Sequence, residues 1–112
     1  MNDCIFCKII AGEIPSKKVY EDDKIYVFHD INPAAPVHLL CVPKIHMDSL
    51  NDINQSNTGY VSQILEKIPE IAESFGIIDG YRVVTNIGED GGQSVRHLHF
   101  HVLGGRKLGY LG

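Results

Sequence analysis

The chain contains no tryptophan, only three cysteines among its 112 residues, and no apolar run approaching the roughly 20 residues that a membrane-spanning helix needs. It also lacks an excess of positive charge. Ten lysines and arginines face fourteen acidic residues, for a formal net charge of -4, and no basic block occurs. Polymeric nucleic acid draws most of its general affinity from cations that displace counterions, so we expect no such partner, and no membrane partner either. Asp3 stands where a secretory signal would be basic, which leads us to expect a soluble, unprocessed, cytoplasmic chain. Three cysteines without such a signal do not suggest a disulfide framework. Cys41, between Leu40 and Val42, reads as a small buried apolar residue.

What is present is enough apolar material, 44% of residues, for one core, and we expect one domain over residues 1–112. Residues 4–11 suit a short amphipathic helix with Ile5, Ile9 and Ile10 on one face, stopped by Gly12 and Pro15. Lys17–Glu21 and Lys24–Phe28 read as a hairpin around Asp22-Asp23, and Val37–Val42 is a continuous apolar strand. Asn57–Phe75 repeats apolar residues near every 3.6 positions through Val61, Ile64, Leu65, Ile68, Ile71, Ala72 and Phe75, with Gly76 as its stop. Pro69 predicts a bend or break near Ile68. Tyr81–Ile87 and His97–Leu103 complete an antiparallel sheet of about five strands, so the fold class is α+β.

The sharpest chemical signal is His97-Leu98-His99-Phe100-His101. On a strand, alternate side chains share a face, so three imidazoles project together while Leu98, Phe100 and Val102 supply the core side. Two chemistries suit that pattern. Alternating histidines can hold zinc as part of a metallohydrolase, or a neutral imidazole can attack phosphorus while its neighbours orient it. Upstream, Gly88-Glu89-Asp90-Gly91-Gly92-Gln93-Ser94-Val95 offers main-chain amides plus the side-chain donors of Gln93 and Ser94 to an anion, although the same residues can form a plain hairpin loop. His38, in its apolar strand, needs a specific hydrogen-bonding partner, for which the triad qualifies, whereas His29 reads as a strand-end residue. Cys4-Ile5-Phe6-Cys7 has the spacing of half a zinc site, which His46 and one triad histidine can complete. A thioredoxin-type redox reading lacks its βαβ context.

Gly91-Gly92-Gln93-Ser94-Val95-Arg96, leading into His97-Leu98-His99-Phe100-His101-Val102-Leu103-Gly104-Gly105-Arg106, resembles the signature of the histidine-triad (HIT) family, Hint branch. The likeness continues through Cys4–Pro15, Phe28–Pro33, Ala35–His38 and Pro43–His46. It implies a HIT-like α+β subunit that forms a homodimer by extending its sheet. It also implies attack by His99 on the α-phosphate of a nucleoside phosphoramidate or related purine nucleotide, giving a nucleotidyl-histidine that water resolves. In that scheme His101 contacts the phosphate, His38 supports the triad and the carbonyl of His97 holds the tautomer of His99. Asp30 binds the ribose hydroxyls, Ile5, Phe6, Phe28 and Ile31 surround the base, and Asn86 and Ser94 bind phosphate, with Ser94 assisting departure of the amine. The resemblance to bacterial members further implies a structural zinc on Cys4, Cys7, His46 and His97. A nucleotide-binding regulatory module with little catalysis is the third reading. The ending Lys107-Leu108-Gly109-Tyr110-Leu111-Gly112 departs from the eukaryotic Hint pattern, with Tyr110 in the place of its tryptophan and no double proline, and Arg96 replaces an aromatic residue.

Overall fold

The structure is a computed structural model that describes residues 3–110; Leu111 and Gly112, the end of the divergent tail, lie outside it, as do Met1 and Asn2. Five antiparallel strands, β1 (Lys18–Glu21), β2 (Ile25–His29), β3 (Val37–Pro43), β4 (Tyr81–Val84) and β5 (Phe100–Gly104), form one sheet in the order β1-β2-β3-β5-β4. A short helix, α1 (Ile5–Ile10), precedes them, and the main helix, α2 (Thr58–Ser74), lies between β3 and β4.

Because side chains alternate, each strand feeds two apolar layers. Ile25, Val27, Leu39, Cys41, Phe100 and Val102 pack under Val61, Ile64, Ile68, Ile71 and Ala72 of α2. On the other face, Tyr26, Phe28, Leu40 and Val42 pack against Phe6 and Ile9 of α1. His38 and His101, in step with Leu40 along β3 and β5, share that second face. One layer therefore holds the sheet together, and the other carries α1 beside the histidines.

Several local expectations are corrected. The inward face of α1 is Phe6 and Ile9, while Ile5 is exposed, because packing against Phe28 and Leu40 selects the aromatic ring. α2 runs unbroken through Pro69. Pro69 and Leu65 both lie on the solvent side of the helix, Leu65 at 50% exposure, so the proline ring disturbs no packing. The helix stops as expected: Gly76 has φ +73°, its N–H donates to the Glu73 carbonyl, and the N–H of buried Ile77 donates to the Ala72 carbonyl. The last two strands are shorter than their sequences suggest. β5 begins at Phe100 rather than His97, since its ladder with β3 ends at the Cys41–Phe100 pair and the N–H of Leu98 turns away to the Met47 carbonyl at 2.6 Å. β4 ends at Val84 rather than Ile87, because the Thr85 hydroxyl takes the His99 carbonyl at 2.8 Å in place of a ladder bond. No helix among the described residues is long and apolar enough to cross a membrane.

Candidate active site and metal centre

Two clusters of polar side chains meet where β5 begins. The first gathers around the start of α1. Cys4 caps the helix, its sulfur accepting the N–H of Cys7 at 3.4 Å, which brings both sulfurs to one end of the helix. His97 Nδ1 lies 3.2 Å from Cys4 Sγ and 3.5 Å from Cys7 Sγ, and His46 Nδ1 lies 3.4 Å from Cys7 Sγ. All four donor atoms fall within 4.8 Å of one another. Two sulfurs and two imidazole nitrogens bonded to zinc at about 2.0–2.3 Å would be separated by roughly 3.3–3.8 Å in a tetrahedron, so the group fits such an ion.

The neighbours of the two imidazoles strengthen the fit. His97 Nε2–H donates to the Pro43 carbonyl at 2.9 Å and His46 Nε2–H to the Asp48 carboxylate at 3.0 Å. Each bond puts the proton on Nε2 and leaves the Nδ1 lone pair facing the sulfurs, which is the tautomer a metal ligand requires. Burial pushes His97 down to about 4, so its ring is neutral, as a ligand must be.

The second cluster is built from His38, His99 and His101. His99 is 3% exposed, and its Nδ1–H donates to the His97 carbonyl at 2.7 Å, leaving Nε2 as the basic nitrogen. Thr85 fixes the backbone of His99 from the other side through its 2.8 Å bond to the carbonyl. The His99 and His101 rings lie 5.0 Å apart and tilted, and His38 Nε2 lies 2.9 Å from His101 Nδ1. Asp30 Oδ2 is 3.5 Å from His38 Nε2. Burial lowers the pKa of His38 and of His99; burial, and then the adjacent His99 and His38, push His101 down to about 4. All three rings are therefore neutral near pH 7.

A cleft of about 230 Å³ opens over this cluster. Ile5, Phe6 and Ile9 of α1, together with Phe28, Ile31, Leu40 and Val95, line it with apolar groups, while Asp30, Ser94, His99 and His101 supply its polar groups. Ile31 is 87% exposed, and such an apolar side chain beside a cleft is available to a ligand.

Two residues that the sequence assigns to phosphate make other side-chain bonds in this structure. The Gln93 amide is bound within the protein: its oxygen accepts the Gly88 N–H at 2.8 Å, and its nitrogen donates to the carbonyls of Val95, at 2.9 Å, and of Asp48. Asn86 Nδ2 donates to the Gly91 carbonyl at 2.8 Å. Neither lines the cleft. Sequence reasoning also missed Asp48, Thr85 and the backbone of Ala34, which donates to His38 Nδ1 at 3.0 Å. Only Asp48 left a signal, a carboxylate two positions beyond His46.

The family model described as the scavenger mRNA decapping enzyme C-terminal binding region matches residues 3–109. Protein HitA of Neisseria gonorrhoeae is 49% identical over 104 residues, covering 93% of this chain and 97% of that protein. The purine nucleoside phosphoramidase of Escherichia coli K12 is 44% identical over 108 residues, covering 96% and 91%. A histidine triad protein from Clostridium difficile superposes with a TM-score of 0.94 at 53% identity, covering 100% of this chain and 98% of that one. From the spacing of its histidines, its sheet order and these relatives alike, the chain belongs to the histidine-triad family.

Proposed function

We propose that the protein is a nucleotide hydrolase or transferase that cleaves nucleoside 5′-phosphoramidates, or related purine nucleotides, at the α-phosphate through a nucleotidyl-His99 intermediate. The observation that carries this reading is the hydrogen bond from His99 Nδ1 to the His97 carbonyl, which reserves the Nε2 lone pair for attack. Nε2 bonds to phosphorus as the P–N bond of the substrate breaks. The departing nitrogen takes a proton from Ser94, at the polar end of the cleft, and leaves as an amine. Water then attacks phosphorus, the bond to Nε2 breaks, and the nucleoside monophosphate departs while the proton of water restores Ser94. His101, whose ring proton lies on Nε2, stabilises the charge that develops on the phosphoryl oxygens.

Asp30 accepts the ribose hydroxyls, and Ile5, Phe6, Phe28 and Ile31 hold a purine between apolar side chains. We assign Asn86 and Gln93 to shaping the Gly88–Val95 loop, since their amides are engaged within it and with the neighbouring segment. The name of the Escherichia coli relative, a purine nucleoside phosphoramidase, supports the substrate class.

Cys4, Cys7, His46 and His97 would hold a zinc ion that cross-links α1 to the body of the fold. Four protein ligands leave no open position for water, which favours a structural metal over the zinc-dependent hydrolase that the histidine pattern also allows. Thiolate ligands suit a reducing cytoplasm. A homodimer that extends the sheet would use an edge such as β4, where Val83 is 40% exposed, and sedimentation tests it.

Turnover of adenosine phosphoramidate by His99→Ala tests the reading. Cleavage is expected to vanish while AMP affinity is retained, and undiminished turnover would refute the mechanism.

A further inference from the structure

We infer that metal and nucleotide bind this protein cooperatively, because two sides of the nucleotide cleft, α1 and the loop that carries Ser94, are tied to the Cys4–Cys7–His46–His97 group. The inference rests on the nucleotide-site reading above. One side is α1, a helix of six residues, far below the length that is stable on its own in water. Cys4 and Cys7 join it to His97 and His46, and between the two cysteines stands Phe6. The Phe6 ring meets His97 edge-on at 5.9 Å and His99 edge-on at 5.1 Å, so one side chain touches both the metal group and the nucleophile. Ile5 and Ile9 of the same helix complete the apolar wall.

A second side is the loop that carries Ser94. Its clasp is the Gln93 amide, whose oxygen takes the Gly88 N–H while its nitrogen bonds the carbonyls of Val95 and Asp48. Asp48 is also the residue whose carboxylate receives the His46 Nε2–H at 3.0 Å. A continuous line of contacts, Cys7 to His46 to Asp48 to Gln93, thus ends beside Ser94.

An ion on the four-residue group holds α1 down and fixes the segment to which the Ser94 loop is clasped. Without it, a nucleotide must order these two sides as it binds. Linkage makes the effect reciprocal, so a bound nucleotide tightens the metal by the same factor.

Calorimetric titration of AMP tests this with three samples: the zinc-loaded protein, the metal-free protein, and zinc-loaded Gln93→Glu. The Gln93→Glu variant keeps every metal ligand but sets a carboxylate oxygen against two carbonyls. Zinc content and far-UV circular dichroism are recorded for each. Expected are a loss of AMP affinity of about fivefold or more without zinc, and a smaller loss of about twofold or more in Gln93→Glu at full zinc content. Equal affinity in all three samples overturns the coupling and leaves the nucleotide site standing. No AMP binding to the zinc-loaded protein refutes the nucleotide-site reading and the coupling with it. If the metal-free chain unfolds, circular dichroism shows it, and Gln93→Glu alone decides: a loss of about twofold or more supports the coupling, and wild-type affinity overturns it.

Discussion

His38 Nε2 donates its proton to His101 Nδ1 across 2.9 Å, and that bond determines which nitrogen of His101 faces outward as a donor. The direction follows from the other side of the His38 ring, where Nδ1 accepts the Ala34 N–H at 3.0 Å and so carries no proton of its own when the ring is neutral. His101 then holds its proton on Nε2. Two residues 63 positions apart in the chain thereby share one tautomeric arrangement, which a backbone amide sets.

Replacing His38 with phenylalanine keeps the ring and removes both bonds. Turnover is expected to fall by about 10- to 100-fold through loss of His101 orientation, with zinc content unchanged. Steady-state kinetics beside metal analysis checks this, and turnover within about twofold of wild type contradicts the relay.

Metal removal separates the structural from the catalytic reading of the Cys4–Cys7–His46–His97 group. Cys7→Ser, or chelation of the wild type, should lower the melting temperature and zinc content while the folded fraction keeps most of its turnover at saturating substrate. A metal-dependent hydrolase behaves in the opposite way, losing turnover in proportion to metal with its melting temperature unchanged.

Gly91 is held to glycine by sterics. A Cβ there would stand 2.3 Å from the Ile87 carbonyl oxygen, a backbone atom that cannot yield without moving the loop. Gly91→Ala is therefore expected to displace the Ser94 loop and lower kcat/KM by about tenfold or more, while the melting temperature falls by only a few degrees, because the change lies outside both apolar layers. Kinetics and thermal denaturation of the same preparation measure the two effects together.

Asp22 ties the β1–β2 turn to α2. Burial opposes its ionisation, but hydrogen bonds from Gln63, the Lys24 N–H, Tyr20 and the Ile25 N–H outweigh that effect and hold its pKa below the ordinary carboxylate range. A depressed native pKa contributes stability that is present above the unfolded value, near 4, and is lost as pH falls through the native one. Asp22→Asn should cost about 1–2 kcal/mol at pH 7, toward the lower end for charged hydrogen bonds because the group is only partly buried. Urea titrations at pH 7 and near pH 3 test the sign: the gap from wild type should narrow in acid.

Much of this arrangement was legible in the residues themselves, and the exceptions share a cause. Alternation placed Leu98, Phe100 and Val102 opposite the three histidines, and that division holds. What alternation did not convey is that the ladder ends at Phe100, because the bond from Leu98 to Met47 joins segments far apart in sequence. The opening Cys-x-x-Cys pair pointed to a metal group by spacing alone, yet its completion by His46 and His97 depends on how the sheet folds beneath α1. Pro69 misled because propensity is blind to which side of a helix meets water. The side-chain bonds of Gln93 were not legible because an amide in a glycine-rich loop suits an anion and its own backbone equally well, and only the tertiary fold brings the Asp48 carbonyl within its reach.

The role proposed for His99 is that of a covalent nucleophile. Its most direct test is intact-protein mass spectrometry of wild type and His99→Ala, quenched within one turnover of adenosine phosphoramidate. A nucleotidyl adduct is expected on the wild type and none on the variant. Absence of an adduct from both proteins, together with hydrolysis that chelation abolishes while the fold persists, would make the metal the catalyst and contradict that role.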